Sequence, residues 1–243
     1  MPPSHRLELV NESPLAGQMG VYLEDPEAEP GACHPLVWRS RDCGPGRSVR
    51  LDWNEEFGLT CGPAAGPGLA FSGGDILPAG PGAESFLLGR SASGFSLKPA
   101  ASPAASPEDS EFVPEDIAAG FVLSLKPGEK RRSLAEMVRD QPVRPVPPAR
   151  PGRFQIMAEA DIPRLAAALC LEGRPALLRP AEPGRAVSFP ARPRYGLFFG
   201  SFEEGLVLDL NQVVLTTVVD FTGGSLRAVF RRDCLWEVAP NGG

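Results

Sequence analysis

The feature that most constrains this chain is a short alternation of apolar and polar residues, repeatedly broken by glycine or proline. A period of two is the signature of a strand that buries one face. The densest example is Pro193 to Phe221. Tyr195, Leu197 and Phe199 fall on one face of a first run, and Leu206, Leu208 and Leu210 on one face of a second, with Asp209 opposite. Val213 to Phe221 is almost wholly β-branched or aromatic, which suits a pleated surface. Gly200 and Gly205 bracket Ser-Phe-Glu-Glu, a loop of hairpin length. The spacing predicts a hairpin and a third strand at the centre of the core. The breakers are abundant, with 28 Pro and 27 Gly among 243 residues. Helix interiors tolerate neither well, so turns dominate.

The same texture runs through the first hundred residues. Leu7 and Leu9 alternate in a first strand. Met19, Val21 and Leu23 alternate with Gly20, Tyr22 and Glu24 in a second. Leu36, Val37 and Trp38 sit in a third. Val49, Leu51 and Trp53 alternate with Arg50 and Asp52 in a fourth. Weaker strands follow around 57–60, 70–71, 85–88 and 94–97. From Pro99 the texture changes to an Ala/Ser/Pro linker. Ser133 and Glu136 then form a capping box before Leu134, Met137 and Val138 on one helical face. Gln141 to Pro151 reads as polyproline II. Glu159 to Gly173 fits two periods: Ile162, Leu165, Ala166 and Leu169 make a helical stripe, while Ala167, Leu169 and Leu171 make a strand. Val187 and Phe189, then Leu226, Ala228 and Phe230, then Leu235 to Val238, continue the strand pattern.

The expected fold is therefore all-β, a mainly antiparallel β-sandwich formed by both ends of the chain. Residues 1–243 make a single domain, and 99–150 is a Pro-rich insertion carrying one short helix.

Charge and motifs exclude several functions. A net charge of -6 disfavours nucleic acid as a partner, because phosphate binding needs a basic surface. The N-terminus has no apolar core of a signal peptide, and no run reaches membrane-spanning length, so no transmembrane segment and a cytoplasmic location are expected. The cysteines, Cys33, Cys43, Cys61, Cys170 and Cys234, form no CxxC pair and read as buried small residues or free thiols. Phosphate-loop, dinucleotide and hydrolase-elbow motifs are absent.

Histidine is limited to His5 and His34. His5 falls in an expected loose terminus. His34 follows Cys33, and strand neighbours point to opposite faces, which argues against a Cys/His dyad. Cys33, His34, Cys43 and Cys61 lack the paired spacing of structural zinc sites. Glu55-Glu56, Glu203-Glu204, and Asp25 with Glu27 and Glu29 offer loop carboxylates for Ca²⁺, but the ordered acidic loop of a calcium site is missing. No metal and no cofactor is assigned. Trp38, Trp53 and Trp236, with Tyr22 and Tyr195, offer a carbohydrate-stacking platform or, more simply, core. The candidate ligand-facing residues are Trp38, Trp53, Tyr22 and Asp209. Arg144 to Arg150 carries a Pro-x-x-Pro pattern that suits an SH3-type groove, or a stiff spacer.

Two blocks resemble the RhiA family of rhizosphere-induced proteins. At the start the matching positions are Val10, Asn11, Ser13, Ala16, Gly17, Val21, Tyr22, Asp25 and Pro26. Leu36-Val37-Trp38 and Trp53 fall where that family carries a tryptophan-bearing strand. Near the end, Pro193, Tyr195, Phe199, Gly200, Gly205, Val207, Leu208 and Asp209 resemble its C-terminal block. The likeness spans about residues 6 to 97 and 151 to 238, and leaves 99–150 without a counterpart. It implies a soluble bacterial β-protein linked to plant–microbe interaction, with no established enzymatic activity. It also implies strand, not helix, for the segment from Ile162 to Arg179. The expected function is a non-enzymatic binding, interaction or assembly protein, with a protein or glycan partner and with self-association open. The alternatives are a lectin-like sandwich for carbohydrate or membrane surfaces, and a metal-assisted hydrolase using loop carboxylates.

Overall fold

The structure is a computed structural model and describes residues 4–29, 31–80, 85–91, 94–100, 149–210, 213, 215–221 and 224–240. It is all-β, and no helix occurs among the described residues. Residues 1–100 and 147–243 form one compact unit. The helix expected at 133–140, and the polyproline stretch up to Pro148, lie outside the described residues.

The first half contains β1 (Ser4–Asn11), β2 (Gly17–Glu24), β3 (His34–Pro35), β4 (Arg39–Cys43), β5 (Ser48–Asn54), β6 (Phe57–Pro63), β7 (Leu77–Pro78), β8 (Ser85–Ser91) and β9 (Gly94–Pro99). The second half contains β10 (Arg153–Ala158), β11 (Leu165–Leu171), β12 (Arg174–Ala181), β13 (Ala186–Pro190), β14 (Arg194–Gly200), β15 (Thr216–Val219), β16 (Ser225–Phe230) and β17 (Trp236–Pro240).

Both ends of the chain build one lobe. Its sheets are ordered β17-β16-β1-β5 and β15-β14-β2-β4. The middle of the chain builds the other lobe, from β13-β10-β8-β9 and β3-β12-β11-β6-β7. Most pairings are antiparallel; β1 with β16 and β8 with β10 are parallel. One apolar cluster runs through both lobes, from Leu7, Trp38 and Trp53 to Phe86, Phe154 and Phe189.

The pairing has an internal two-fold repeat. β1 pairs with β5 and, in parallel, with β16; β10 pairs with β13 and, in parallel, with β8. β2 lies between β4 and β14, as β11 lies between β12 and β6. The hairpin-like pairs β14 with β15 and β16 with β17 answer β6 with β7 and β8 with β9. Each half therefore contributes its first strands to one lobe and its last strands to the other. The loops after β6 and β14 correspond, and they pair with each other: Val207 N donates to Leu69 O at 3.0 Å and Gly68 N to Val207 O at 2.9 Å.

These two loops explain the departures from the expected strands. Gly200 to Gly205 does not close a hairpin. Leu206 and Val207 instead bridge to Ala70 and Leu36. The loop crosses the outer face of β14 and β2, where Leu208 and Val213 pack with Tyr22, Val37 and Phe198. Consecutive residues Val207 and Leu208 are therefore both buried, while Leu210 is exposed, and the expected alternation fails. Among the described residues of the third run, Thr216–Val219 is strand. Gly196 is required here, because a Cβ would stand 2.1 Å from Tyr22 Cζ.

β11 is buried along its whole length. Ala167, Leu169 and Leu171 enter the main core, and Ala166 and Ala168 pack under Leu36, Phe71 and Val207. A strand covered on both faces loses its polar alternation, which is why its sequence also fits a helical stripe.

Candidate functional site

His5 is not in a loose terminus. It is the second residue of β1, opposite Trp53 of β5, and 7% exposed. Tyr195 near the start of β14 and Phe221 after β15 close on it from the facing sheet. The His5 ring centroid is 5.4 Å from Trp53, 5.7 Å from Tyr195 and 5.0 Å from Phe221. Trp53, Tyr195 and Phe221 also contact one another at 5.0 to 5.6 Å.

Glu55, in the turn between β5 and β6, reaches the edge of this ring cluster. The Tyr195 hydroxyl donates to Glu55 Oε1 at 3.0 Å. His5 Nε2 lies 3.0 Å from the same oxygen, with side-chain exposures of 8% for His5 and 25% for Glu55. That contact is close but not aligned as a hydrogen bond, so both ring nitrogens of His5 are sealed from solvent without a satisfied partner. Trp53 Nε1 approaches the Tyr195 hydroxyl and is likewise not satisfied by an aligned bond. Buried polar groups are normally paired, and each exception requires an explanation. Burial, then the Glu55 charge and its hydrogen bond, push the Tyr195 hydroxyl well above its ordinary range, against the opposing pull of Trp53. Tyr195 is therefore a protonated donor at neutral pH.

The cluster floors an open pocket of about 560 Å³, lined by His5, Glu55, Tyr195 and Phe221 with Arg192, Arg194 and Asp220 at its mouth. That volume lies within the range of small-molecule sites, about 300–1,000 Å³.

The internal repeat supplies a comparison. His5 opposite Trp53 corresponds to Phe154 opposite Phe189. Tyr195 opposite Leu23 corresponds to Phe57 opposite Leu171. Phe57 and Phe154 touch at 6.4 Å, as His5 and Tyr195 do. One lobe thus fills these positions with plain apolar rings. The other carries imidazole, phenol and indole around a carboxylate.

The remaining candidates lie elsewhere. Trp38 and Tyr22 are each 1% exposed, and Trp38 Nε1 donates to Leu171 O at 2.9 Å. They are core, as is Trp53 at 2% exposure; Trp53 contacts the His5 ring directly, and Trp38 packs edge-on against Trp53 at 5.5 Å. Trp236 packs on Phe230 and donates from Nε1 to Leu215 O. Asp209 is half-buried and lines a second pocket of about 480 Å³ with Glu24, Asp25, Glu29, Cys33 and His34. The carboxylates there do not converge: no three His, Cys, Asp or Glu side chains are placed to hold a metal ion among the described residues.

Asp25 and Glu27 are held by arginine instead. Arg153 Nη2 donates to Asp25 Oδ2 at 2.5 Å, Arg179 Nη2 to the same atom at 2.6 Å, and Arg153 Nη1 to Glu27 Oε2 at 3.0 Å. Burial alone would raise the Asp25 carboxyl; the bonds from Arg153, the Glu27 backbone and Arg179 outweigh it and hold Asp25 below the usual carboxylate range. Glu204 accepts from Ser40 N at 3.0 Å, Arg41 at 3.0 Å and Arg174 at 2.5 Å. The five thiols are free. Burial pushes Cys33 and Cys170 up to about 12, so neither is a nucleophile at neutral pH.

No helix among the described residues is long and apolar enough to cross a membrane. No family model, no curated protein and no solved structure matches this chain.

Proposed function

We propose that the chain is a non-enzymatic binding protein of the RhiA type, and that the pocket around Glu55 is its ligand seat. The observation that carries this is the contrast between the two lobes. Polar rings occupy positions that the repeat elsewhere fills with phenylalanine, and two of their nitrogen-bearing groups lack an aligned partner. A buried polar atom without an aligned partner costs a fold about 1–3 kcal/mol, which plain apolar rings at these positions avoid. Glu55, which touches both His5 and Tyr195, is 25% exposed at its side chain and lines the pocket, so it can reach a ligand. A binding role also fits the chemistry on hand. His5 faces Glu55 and Tyr195 but no serine, cysteine or threonine, so the cluster holds no nucleophile and base pair. Free thiols, four of them raised by burial, suit a reducing compartment, and we take the cytoplasm as the location.

The test is a small-molecule library followed by thermal shift and by tryptophan emission, since Trp53 touches the site. Ligands of the wild type should be lost in Glu55→Gln and Tyr195→Phe. A ligand that binds both variants with unchanged affinity refutes this seat.

A further inference from the structure

The pocket lining carries charges of both signs. Arg192 and Arg194 flank Pro193, and Asp220 and Glu55 contribute carboxylates; Arg194 and Asp220 adjoin the Tyr195–Val219 pair of β14 and β15. Arg192, Arg194 and Asp220 form no ion pair among the described residues, although all three line one pocket. Elsewhere on this surface arginine and carboxylate meet readily, as Arg6 meets Asp52 at 2.9 Å and Arg231 meets Glu12 and Glu237. The same lining includes the apolar, largely buried Phe221, Val219 and Tyr195 ring. The Tyr195 hydroxyl is committed to Glu55 Oε1, which leaves Oε2 of that carboxylate to accept from a ligand.

We infer that the ligand is a small zwitterion, an α-amino acid with an apolar side chain. Its carboxylate takes the Arg192 and Arg194 guanidiniums, its ammonium takes Glu55 and Asp220, and its side chain lies on Phe221 and Tyr195. This inference rests on the pocket being the ligand seat. A simple anion would meet the two carboxylates, and a simple cation the two guanidiniums. Only a molecule with both charges neutralises both sets of groups. Planar guanidinium suits carboxylate, because it presents paired donors in a fixed fork. The aromatic walls favour the apolar side chain and add attraction for the ammonium across a ring face.

The test uses the full chain in isothermal titration. The probes are L-phenylalanine and L-leucine, with phenethylamine, 3-phenylpropionate, phenyl phosphate and glucose as comparisons. The amino acids should bind, and each singly charged analogue should bind about tenfold or more weakly, the size of one lost charge-assisted hydrogen bond. The double variant Arg192→Ala/Arg194→Ala should bind L-phenylalanine no better than phenethylamine. Glu55→Gln should narrow the gap between L-phenylalanine and 3-phenylpropionate. All three residues are at least partly exposed, so melting curves should show these variants folded.

A singly charged analogue binding as tightly as the amino acid overturns the zwitterion, as does failure of both amino acids to bind. If phenyl phosphate or glucose binds instead and Glu55→Gln abolishes it, the ligand class is wrong but the seat stands. If such binding survives in every pocket variant, the seat is wrong as well.

Discussion

Asp25 is the sharpest place to perturb the fold, because its carboxylate is fully buried and joins the two lobes. It follows β2 in the lobe made from the chain ends, whereas Arg153 and Arg179 belong to β10 and β12 of the other. The side chains are 0% exposed for Asp25, 10% for Arg153 and 15% for Arg179. Asp25→Ala leaves two guanidiniums out of water without their shared anion. Removing one partner of a buried pair typically costs 3–5 kcal/mol. Arg153 keeps Glu27 and Ser188, so the loss should lie near the lower end, about 3 kcal/mol. Replacing the whole group, as Asp25→Leu with Arg153→Met and Arg179→Met, should cost far less or even stabilise.

Acid adds an independent signature. The folded carboxyl of Asp25 titrates below its unfolded value of about 3.9, so its contribution is fully present above that pH. The contribution is lost as pH falls through the lower folded value. Urea unfolding of wild type and Asp25→Asn should therefore show a constant gap from neutral pH down to about pH 4, and a narrowing gap below it. An alanine variant within about 0.5 kcal/mol of wild type refutes the buried-clamp reasoning, and so does a gap that does not close in acid.

Three further outcomes follow from the packing. Leu208→Ala should lose about 2–5 kcal/mol in thermal or urea unfolding, because Leu208 is 2% exposed against Tyr22, Val37 and Phe198; a mild effect would mean that the loop after β14 does not seal that face. Cys33 and Cys170, pushed up to about 12 by burial, should resist a thiol reagent at pH 8 in the folded protein and react on unfolding; stoichiometric labelling of either in the native state would contradict their placement. His5→Phe should raise stability by about 1 kcal/mol in urea unfolding, since it removes ring nitrogens without an aligned bond from a slot that the repeat fills with Phe154; a destabilised variant would show that the imidazole and its contact with Glu55 hold the fold.

Strand content was legible where a strand buries one face. Leu7 and Leu9, Leu51 and Trp53, and Tyr195, Leu197 and Phe199 all enter the core as their alternation implies. Legibility failed where both faces are covered. Leu206 to Leu210 looks like a strand because Leu, Val and Leu recur there, yet the chain is a covering loop whose apolar residues meet two different clusters. Burial of Val207 and Leu208 in succession depends on distant partners, the loop after β6 for the first and Tyr22, Val37 and Phe198 for the second. The site was harder still. His5, Glu55 and Tyr195 were each visible as residues, but they meet only because β1, the turn after β5 and the start of β14 share a lobe. Local spacing carries no information about that convergence. The tryptophans follow the simpler reading: a ring suited to a ligand platform is equally suited to core, Trp38 and Trp53 are buried, and Trp38 satisfies its own Nε1 on Leu171.

The internal repeat gives the site a built-in reference. Two sets of strands with the same pairing rules face the same packing problem, and at equivalent positions they solve it differently. Phe154, Phe189 and Phe57 form an apolar solution that leaves nothing unpaired. His5, Trp53 and Tyr195 occupy the same places with polar ring atoms, two of the three residues lacking an aligned bond. Because the backbone register is shared, the strand pairing itself does not demand imidazole or indole there. The adjoining pocket, with Glu55 beneath it and unpaired Arg192, Arg194 and Asp220 around it, is the feature beside those rings that a small charged molecule would complete.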